Sequence, residues 1–320
     1  MTWVDELRRR EEACRRAPSA HNTQPWMLRY REDAVDVHWD PARELPDSDP
    51  TRRDLFLSLG AFVEACLIVA ADAGLPVRAE VAVDDAERRV ARLLPAGAAY
   101  ATAFTTAALE RRRCARGAYE PGELDPAVVA EVAAGADLRR VPCRALTGEL
   151  AAADRHMFGT PVVAAELREW LRLSPRHPRY ALDGLTDRAM ELSRAEASGL
   201  AAVLAPGVYP LARRLGAPAL LAAASRGLLR YDGSVLVLVG RAAGPDDLVE
   251  HGRALLRVWL GLSQRGLAVH PLSQILDCAA TADRLAAVLS PAPGERLLAV
   301  FRAGRPLREP VRSSRIPPVQ

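Results

Sequence analysis

The chain of 320 residues is long enough for one large domain or two, and its 49% apolar content allows a sizeable core. Its 43 basic and 40 acidic residues leave a formal net charge of +3, which excludes the strongly basic surface typical of nucleic-acid-binding proteins. All 43 basic residues are arginine, so neither a Schiff-base lysine nor a phosphate-loop lysine can operate. Any anion must be bound by arginine side chains, backbone N–H groups or helix ends.

The compartment is indicated by the cysteines and by the apolar runs. The five cysteines form no CxxC pair and no zinc-binding spacing with histidine, which indicates free thiols in a reducing compartment. The chain is charged from Asp5 onward, so no secretory signal is expected. The most apolar run, residues 57–71, carries Glu64 at its middle and is shorter than the ~20 residues that span a bilayer. We therefore expect a cytoplasmic protein with no membrane partner and no nucleic-acid partner.

The first hundred residues predict two helices and four strands. Thr2 can cap an N-terminal helix because Asp5 follows three residues later, as in a capping box. Residues 54–73 are apolar on nearly all sides, which indicates a buried helix, and Gly74 is a suitable left-handed stop. The predicted elements are helices at 2–16 and 54–73 and strands at 27–31, 35–39, 77–83 and 88–94.

A loop bounded by prolines joins the first helix to the first strand at residues 17–26, with the sequence APSAHNTQPW. Pro18 and Pro25 fix their own φ and favour extended backbone in the residue before each, so a stiff, non-helical loop is expected. Between the two prolines stand five side chains that can form hydrogen bonds. This composition suits a ligand cradle, and it equally suits a plain polar turn after a helix.

The remaining two thirds of the chain begin with predicted helices at 105–113 and 125–134. Residues 154–229 are helical in propensity but broken by proline and glycine, with no obvious strand, and a lid or insertion of short helices is the simplest account. A continuous apolar run then predicts a strand buried on both faces at 234–239. A long helix at 248–265, a last strand at 296–302 and a tail rich in proline and arginine at 304–320 follow.

An internal repeat relates the two long helices. Residues 60–77 align with residues 252–269 without a gap, and the alignment pairs Gly60 with Gly252 and Gly74 with Gly266. Two copies of this pattern indicate two related halves, although unrelated core helices can share it by chance. A glycine early in a buried helix suits the close approach of another backbone. We therefore predict that the two helices cross at Gly60 and Gly252, at the centre of a pseudo-dimer.

The loop and the second long helix resemble the signatures of one family. The stretch APSAHNTQPW at 17–26 is similar to the PSxxNxQPW motif of FMN-dependent nitroreductases, and looks closest to the PSxHNTQPW form of the Acg-like branch. The run RALLRVWL at 253–260, followed by GLAVHPLSQ at 266–274, is similar to the second signature of that branch. The resemblance covers most of the chain and is weakest between residues 155 and 229.

The resemblance implies an α+β, three-layer nitroreductase-like fold. Ordinary members of the family bind FMN at a homodimer interface, whereas the Acg-like branch fuses two related halves into an intrachain pseudo-dimer. We expect the first half at 1–104 and the second at 105–320, with a helical lid or insertion at about 155–229. The RRCAR run at 112–116 resembles the RRSxR phosphate motif of the family, and the tail at 313–315 resembles its C-terminal basic motif.

The resemblance also suggests a role for individual residues. Arg112 would meet the FMN phosphate and Arg116 the pyrimidine end of the flavin ring, with Arg315 as a further phosphate ligand. Ser19 and Asn22 would contact the flavin from the first half. The full set of expected FMN contacts is Arg16, Ser19, His21, Asn22, Gln24, Arg112, Cys114, Arg116, Leu272, Ser273, Gln274 and Arg315.

Two departures from the family pattern reduce the expected sites to one. The first half has no arginine motif before its loop, and the second half has no PSxxNxQPW loop after Arg116. We therefore predict one FMN per chain in a protein that can work as a monomer, with higher oligomers left open. Cys114 stands where the family has serine, and a thiol is the weaker hydrogen-bond donor. Ser273 and Gln274 fall where the family has backbone donors near flavin N5.

The implied function is hydride transfer from NAD(P)H through flavin N5 to a small organic acceptor (a nitroaromatic, quinone or enone), or dehydrogenation of a small metabolite. The flavin carries the hydride, so no catalytic side chain and no metal are expected, and NAD(P)H binds transiently as reductant. The alternative is a flavin-sequestering protein whose lid covers FMN and which does not turn over. Plain structural roles also stay open, with residues 112–116 as a solvated helix face and His21 packed on Trp26.

Overall fold

The computed structural model describes residues 2–318, so positions 319 and 320 of the predicted tail lie outside the described residues. The elements of the first half are α1 (Trp3–Arg9), α2 (Glu11–Cys14), β1 (Trp26–Tyr30), β2 (Val35–Trp39), α3 (Arg53–Asp72), β3 (Val77–Asp84) and β4 (Arg89–Pro95). The four strands pair antiparallel in the order β1-β2-β4-β3. The four predicted strands and the predicted long helix are therefore confirmed.

The second half repeats this arrangement around a long insertion. Its elements are α4 (Thr106–Arg111), α5 (Pro126–Ala133), β5 (Asp137–Pro142), α6 (Thr147–Gly159), α7 (Pro161–Trp170), β6 (Leu171–Arg172), β7 (Leu185–Thr186), α8 (Arg194–Val203), α9 (Tyr209–Arg214), α10 (Ala217–Ser225), β8 (Ser234–Arg241), α11 (Pro245–Gln264), β9 (Ala268–Pro271), α12 (Gln274–Asp277), α13 (Ala279–Leu289) and β10 (Glu295–Gly304). The main sheet is antiparallel in the order β5-β8-β10-β9. Counted along the chain, both sheets have the same strand order, and in each a long helix lies between the second and third strands.

The two long helices, α3 and α11, touch backbone to backbone at their early glycines. A Cβ atom on Gly60 would lie 1.9 Å from the carbonyl oxygen of Val249, and one on Gly252 would lie 2.2 Å from that of Leu57. Any side chain larger than hydrogen would push the helices apart at this point. The predicted crossing of the two helices at Gly60 and Gly252 is confirmed.

The core has three layers, with α3 and α11 between the two sheets. One apolar cluster joins α3 to the first sheet and takes in Leu256 and Leu260 of α11. A second cluster joins α11 to the second sheet through Val258 and Leu262. The outer face of the second sheet is covered by α6, α12 and α13. Residues 234–239 of β8 are accordingly buried on both faces, as the sequence predicts.

The apolar helix α3 belongs to this core. It is long and apolar enough to cross a membrane by length and composition, but 89% of its apolar window is buried inside the protein. Its Glu64 is buried as well, and the side chains of Arg253 and Arg257 on α11 each approach its Oε2 to 3.0 Å. Tyr100 donates to the other carboxylate oxygen at 2.9 Å. A carboxylate is thus tolerated in the middle of α3 because α11 neutralises it.

Other predicted elements need correction. The predicted helix at 2–16 begins at the expected Thr2–Asp5 capping box but is broken at Arg10 into α1 and α2. Strand β5 was not predicted, because two adjacent arginines interrupt its apolar alternation. The segment predicted to lack strands contains the short parallel pair β6–β7. The first helix between β5 and β8, α6, begins at Thr147, so it starts before the segment predicted as a lid or insertion.

Candidate functional site

A cavity of about 290 Å³ lies between the loop at 17–26, the long helices and the segment predicted as a lid, and it is near the lower end of the size range of small-molecule sites. Its walls come from the loop after α2, the arginine run after α4, the β9–α12 corner, the tail and the lid helices. Ten of the twelve residues expected to bind a cofactor line it. They are Arg16, Ser19, His21, Asn22, Arg112, Cys114, Arg116, Ser273, Gln274 and Arg315.

The other two expected contacts, Gln24 and Leu272, do not line the cavity, and their roles as FMN contacts stay predictions. Gln24 is buried and donates from Nε2 to the backbone oxygen of Leu182, while its Oε1 accepts from the N–H of Ile316. Leu272 packs in the apolar cluster on the outer face of the second sheet, and its N–H donates to Val300 at 2.8 Å. Gln24 therefore fastens the lid and the tail to the loop, and Leu272 anchors the β9–α12 corner.

The loop at 17–26 has an unusual backbone. His21, Asn22 and Gln24 have φ values of 45°, 55° and 53°, in the left-handed region that costs a side-chain-bearing residue roughly 1–3 kcal/mol each. The residue before Pro25 is thus left-handed instead of extended, and residues 20–22 form a 3₁₀ turn, so the predicted non-helical, extended loop is wrong in these details. The N–H of Gln24 donates to Oγ of Ser19 at 2.9 Å, which holds the turn closed. Strain of this kind clusters at ligand sites.

Arginines with little opposite charge converge at one end of the cavity. Arg16 and Arg112 are buried, and the Nε of each is sealed from solvent without a hydrogen-bond partner among the described residues. Burial, together with neighbouring arginines, lowers the pKa of Arg16 to about 10 and that of Arg315 well below its usual range. The nearest carboxylate to Arg16 is that of Glu110, 3.7 Å away, and Arg312 pairs with it too. This end of the cavity is suited to an anion.

Arg315 and Asn22 hold the site together. The N–H groups of Arg315 donate to four backbone carbonyls, three of them at the end of α2, and to Oδ1 of Asn22, at 2.5–3.2 Å. Asn22 donates to the backbone oxygens of Gly184 in the lid and Ser314 in the tail, both at 3.2 Å. Arg315 lines the cavity, but its donors are in use, so it can act on a ligand through charge and not as the expected hydrogen-bonding phosphate ligand.

Arg16 and Arg112 keep donors for a ligand. Nη2 of Arg112 donates to the backbone oxygen of Arg16 at 3.3 Å, and its guanidinium lies 5.7 Å from the ring centre of Trp259. Its Nη1 is 3.6 Å from the sulfur of Cys114, so the thiol at the serine position of the motif orients the arginine. Arg16 donates to the backbone oxygen of Ser313 at 3.3 Å. The other N–H groups of these two guanidinium groups have no acceptor in the described chain.

The β9–α12 corner offers backbone donors. The N–H groups of Ser273 and Gln274, at the start of α12, have no acceptor among residues 2–318. The Gln274 side chain donates to the buried carboxylate of Asp154 at 3.2 Å. Two free N–H groups on a fixed corner suit an acceptor atom of a ligand.

The lid contributes an apolar wall that the sequence did not predict residue by residue. Arg116 ties it to the second half, because its Nη1 donates to the backbone oxygen of Ala189 at 3.2 Å and its N–H to Oε1 of Glu191 at 2.8 Å. Eight apolar lid residues line the cavity. They are Met157, Phe158, Val163, Leu167, Leu171, Leu185, Met190 and Leu200. The segment lacks a single periodic pattern because its side chains face several directions from short helices.

An acidic group at another part of the wall was also missed. Arg53 donates to Asp54 and Asp277 at 2.8 and 2.7 Å, and Asp49 accepts from the N–H of Leu55 at 2.9 Å. Burial raises the pKa of Asp49 to about 7, and the neighbouring Asp54 adds to the shift. Burial raises the pKa of Asp277 as well. Burial also lowers the pKa of the cavity residue His21 to about 4, so its imidazole is neutral at physiological pH.

The chain has relatives among known proteins, although no known family profile matches it. Two curated proteins from strains of Mycobacterium tuberculosis, each provisionally named a NAD(P)H nitroreductase, are 31% identical over 294 residues, covering 87% of this chain and 79% of each relative. A variant of the FMN- and NADPH-dependent nitroreductase NfnB from a Sphingopyxis strain aligns with 22% identity and a TM-score of 0.39, over 67% of this chain and 94% of its own. NfnB from Mycobacterium smegmatis, solved with NADPH, aligns with 20% identity and a TM-score of 0.34, over 67% and 95%. On the strength of its sequence relatives, the chain belongs to the NAD(P)H nitroreductase family.

Proposed function

We propose that this protein binds FMN and transfers a hydride from NAD(P)H to a small organic acceptor. The observation that carries the proposal is the pair of buried arginines, Arg16 and Arg112, whose unpartnered N–H groups lie at one end of a cavity of ligand size. A buried cation that lacks an adequate counter-charge is costly, so an anionic part of a ligand is expected there. Membership of the nitroreductase family makes the phosphate of a flavin nucleotide the natural candidate.

The donor set fits a flavin with a phosphate. Planar guanidinium groups match phosphate oxygens in pairs, which suits Arg16 and Arg112. The hydroxyl of Ser19 and the free backbone N–H groups of Ser273 and Gln274 would bind other acceptor atoms. Bound FMN would supply the hydride chemistry at its N5.

The other residues of the cavity would orient the reactants and exclude water. The apolar lid wall suits a flat ring system and would exclude water from the reacting face. We expect NAD(P)H and an acceptor such as a nitroaromatic, quinone or enone to enter in turn. The positive charge of Arg116, the arginine expected at the pyrimidine end of the ring, would favour the electron-rich, reduced flavin over the oxidised one.

We further propose one FMN per chain and a monomer that is sufficient for function. The loop at 17–26 and the arginine run at 112–116 each occur once, and the cavity takes walls from both proposed halves, 1–104 and 105–320. The partner is a small molecule and no nucleic acid is expected. All five cysteines are free, and four are buried, which supports a reducing, cytoplasmic location.

Anaerobic mixing tests the proposal. The purified protein should be yellow, and NADPH or NADH should bleach its flavin absorbance, because the nicotinamide transfers its hydride to the bound flavin. A protein that dithionite bleaches but neither nucleotide does would be a flavin-sequestering protein. A colourless protein that does not take up added FMN would contradict the whole proposal.

A further inference from the structure

His270, on strand β9, is a buried histidine with a hydrogen bond on one ring nitrogen. It lines the cavity and is 8% exposed. Its Nδ1 lies 3.2 Å from Nη2 of Arg302. No residue in the described chain forms a hydrogen bond with its Nε2, which is therefore the polar atom that His270 offers to the cavity.

The hydrogen bond from Arg302 determines the tautomer of His270. A guanidinium group only donates hydrogen bonds, so Nδ1 must accept from Arg302. Burial, and then the positive charges of Arg302 on β10 and Arg116 after α4, lower the pKa of His270 well below its usual value. Among the residues that the structure describes, no carboxylate offsets the effect of these two cations on the imidazole. The ring is thus neutral with its proton on Nε2, a hydrogen-bond donor toward the cavity.

Arg302 is itself buried and held in place. It is 1% exposed, donates to the backbone oxygens of Leu228 and Gly117 at 2.7 Å each, and lies 4.1 Å from the ring centre of Tyr119. No carboxylate in residues 2–318 pairs with it. Burying an arginine without an anion destabilises the fold, so stability does not explain why Arg302 is there. Its contact with His270 gives it a role at the cavity.

His270 and Arg116 act at the same end of the cavity. The N–H of Ala115 donates to the oxygen of Val269 at 3.0 Å, which pairs the arginine run with β9 next to both residues. We propose that His270 donates a hydrogen bond from Nε2 to the pyrimidine edge of the flavin, and that Arg302 is the positioning residue that fixes the tautomer. The inference rests on the proposed function. The ligand class that fits this donor is a flavin, because the pyrimidine edge of the flavin presents carbonyl oxygens and ring nitrogens that accept hydrogen bonds.

The experiment titrates apoprotein with FMN, following the quenching of flavin fluorescence, and measures the midpoint potential of the bound flavin. His270→Phe should bind FMN about tenfold more weakly, the effect of one lost hydrogen bond, and shift the potential to more negative values because the donor favours the reduced flavin. His270→Gln, which restores an N–H donor, should recover most of both effects. His251→Phe changes a half-buried histidine on α11 outside the cavity and should change neither quantity.

Arg302→Met tests the positioning role separately. Without the guanidinium, the imidazole loses its fixed tautomer and one neighbouring cation, while burial and Arg116 still lower its pKa. FMN affinity should therefore acquire a dependence on pH below the ordinary histidine pKa of ~6.5 that the wild type lacks over the same range. If Arg302→Met does not fold, the comparison of His270→Phe with His270→Gln still tests the inference. Unchanged affinity and potential in His270→Phe would overturn the inference and leave the FMN proposal standing. A wild type that binds no FMN would overturn both.

Discussion

Arg112 shows how a single side chain is prepared for an anion. Its position is set by the backbone oxygen of Arg16, the sulfur of Cys114 and the ring of Trp259, and none of these groups neutralises its charge. Because a hydrogen bond to a charged group contributes about 1.5–3 kcal/mol, Arg112→Met should weaken FMN binding by roughly ten- to a hundredfold. Fluorescence titration of the apoprotein measures the change.

Arg111 provides the matched control for this prediction. It is the preceding residue in the chain, carries the same charge and is exposed, outside the cavity. Arg111→Met should therefore leave FMN affinity within about twofold of the wild type, since an exposed charge is screened by solvent. Equal losses in both variants would mean that net charge, and not the buried guanidinium, binds the ligand.

Asp49 gives a residue-scale prediction about pH. Its pKa is about 7 in the folded protein, raised by burial and by Asp54, against about 3.9 in an unfolded chain. Between these values the folded protein holds a proton that the unfolded chain has lost, so this carboxyl destabilises the fold increasingly as the pH rises through that window. Asp49→Asn retains an oxygen for the N–H of Leu55. Its free energy of unfolding should exceed that of the wild type by an amount that grows from about pH 4 to about pH 7.

Urea unfolding at several pH values in that window measures this difference. Asp47→Asn is the control, because Asp47 lies two residues away and is exposed. Its stability relative to the wild type should not change with pH. A constant difference for Asp49→Asn across the window would show that the carboxyl titrates normally.

At the scale of elements, the sequence predicts those helices and strands whose signals lie in neighbouring residues. Helices α3 and α11 were found with their stops, because Gly74 and Gly266 each adopt the left-handed conformation, with φ +70°, that ends a helix. Strand β5 was missed because it carries two arginines and is defined by pairing with β8, nearly a hundred residues later. The short pair β6–β7 likewise depends on contacts that no local pattern records.

The helix crossing gives the prediction at this scale. Gly252→Ala would place a methyl group 2.2 Å from the backbone oxygen of Leu57, so α11 must move away from α3. Overpacking of this kind costs typically ~1–3 kcal/mol, and more where a backbone must shift. The free energy of unfolding in urea should fall by at least that amount.

Gly199→Ala is the matched control for the crossing. Gly199 lies inside α8 with open space around it, so alanine should be neutral or stabilise by up to ~1 kcal/mol through helix propensity. Equal behaviour of the two variants would contradict close backbone contact between α3 and α11.

At the scale of the whole molecule, the sequence predicts which segments form the site, but not the hydrogen bonds between them. The loop and the arginine run were found from their motifs, and the fold brings them together in one cavity. The contact of Arg315 with Asn22 joins residues 293 positions apart, and only the folded chain shows that it occupies a donor of the arginine. The same holds for Gln24, whose partners lie in the lid and the tail.

A whole-molecule prediction follows from the assembly of this cavity from both halves, the lid and the tail. A ligand that binds there binds only the folded chain, so FMN at about a hundred times its Kd should raise the free energy of unfolding by ~2.7 kcal/mol. Riboflavin has the same ring without the phosphate, and at the same concentration it should stabilise much less, because the Nε donors of Arg16 and Arg112 would remain without a hydrogen-bond acceptor. Urea unfolding with each flavin measures the two effects. Equal stabilisation would mean that the ring alone determines binding and that the buried arginines serve another purpose.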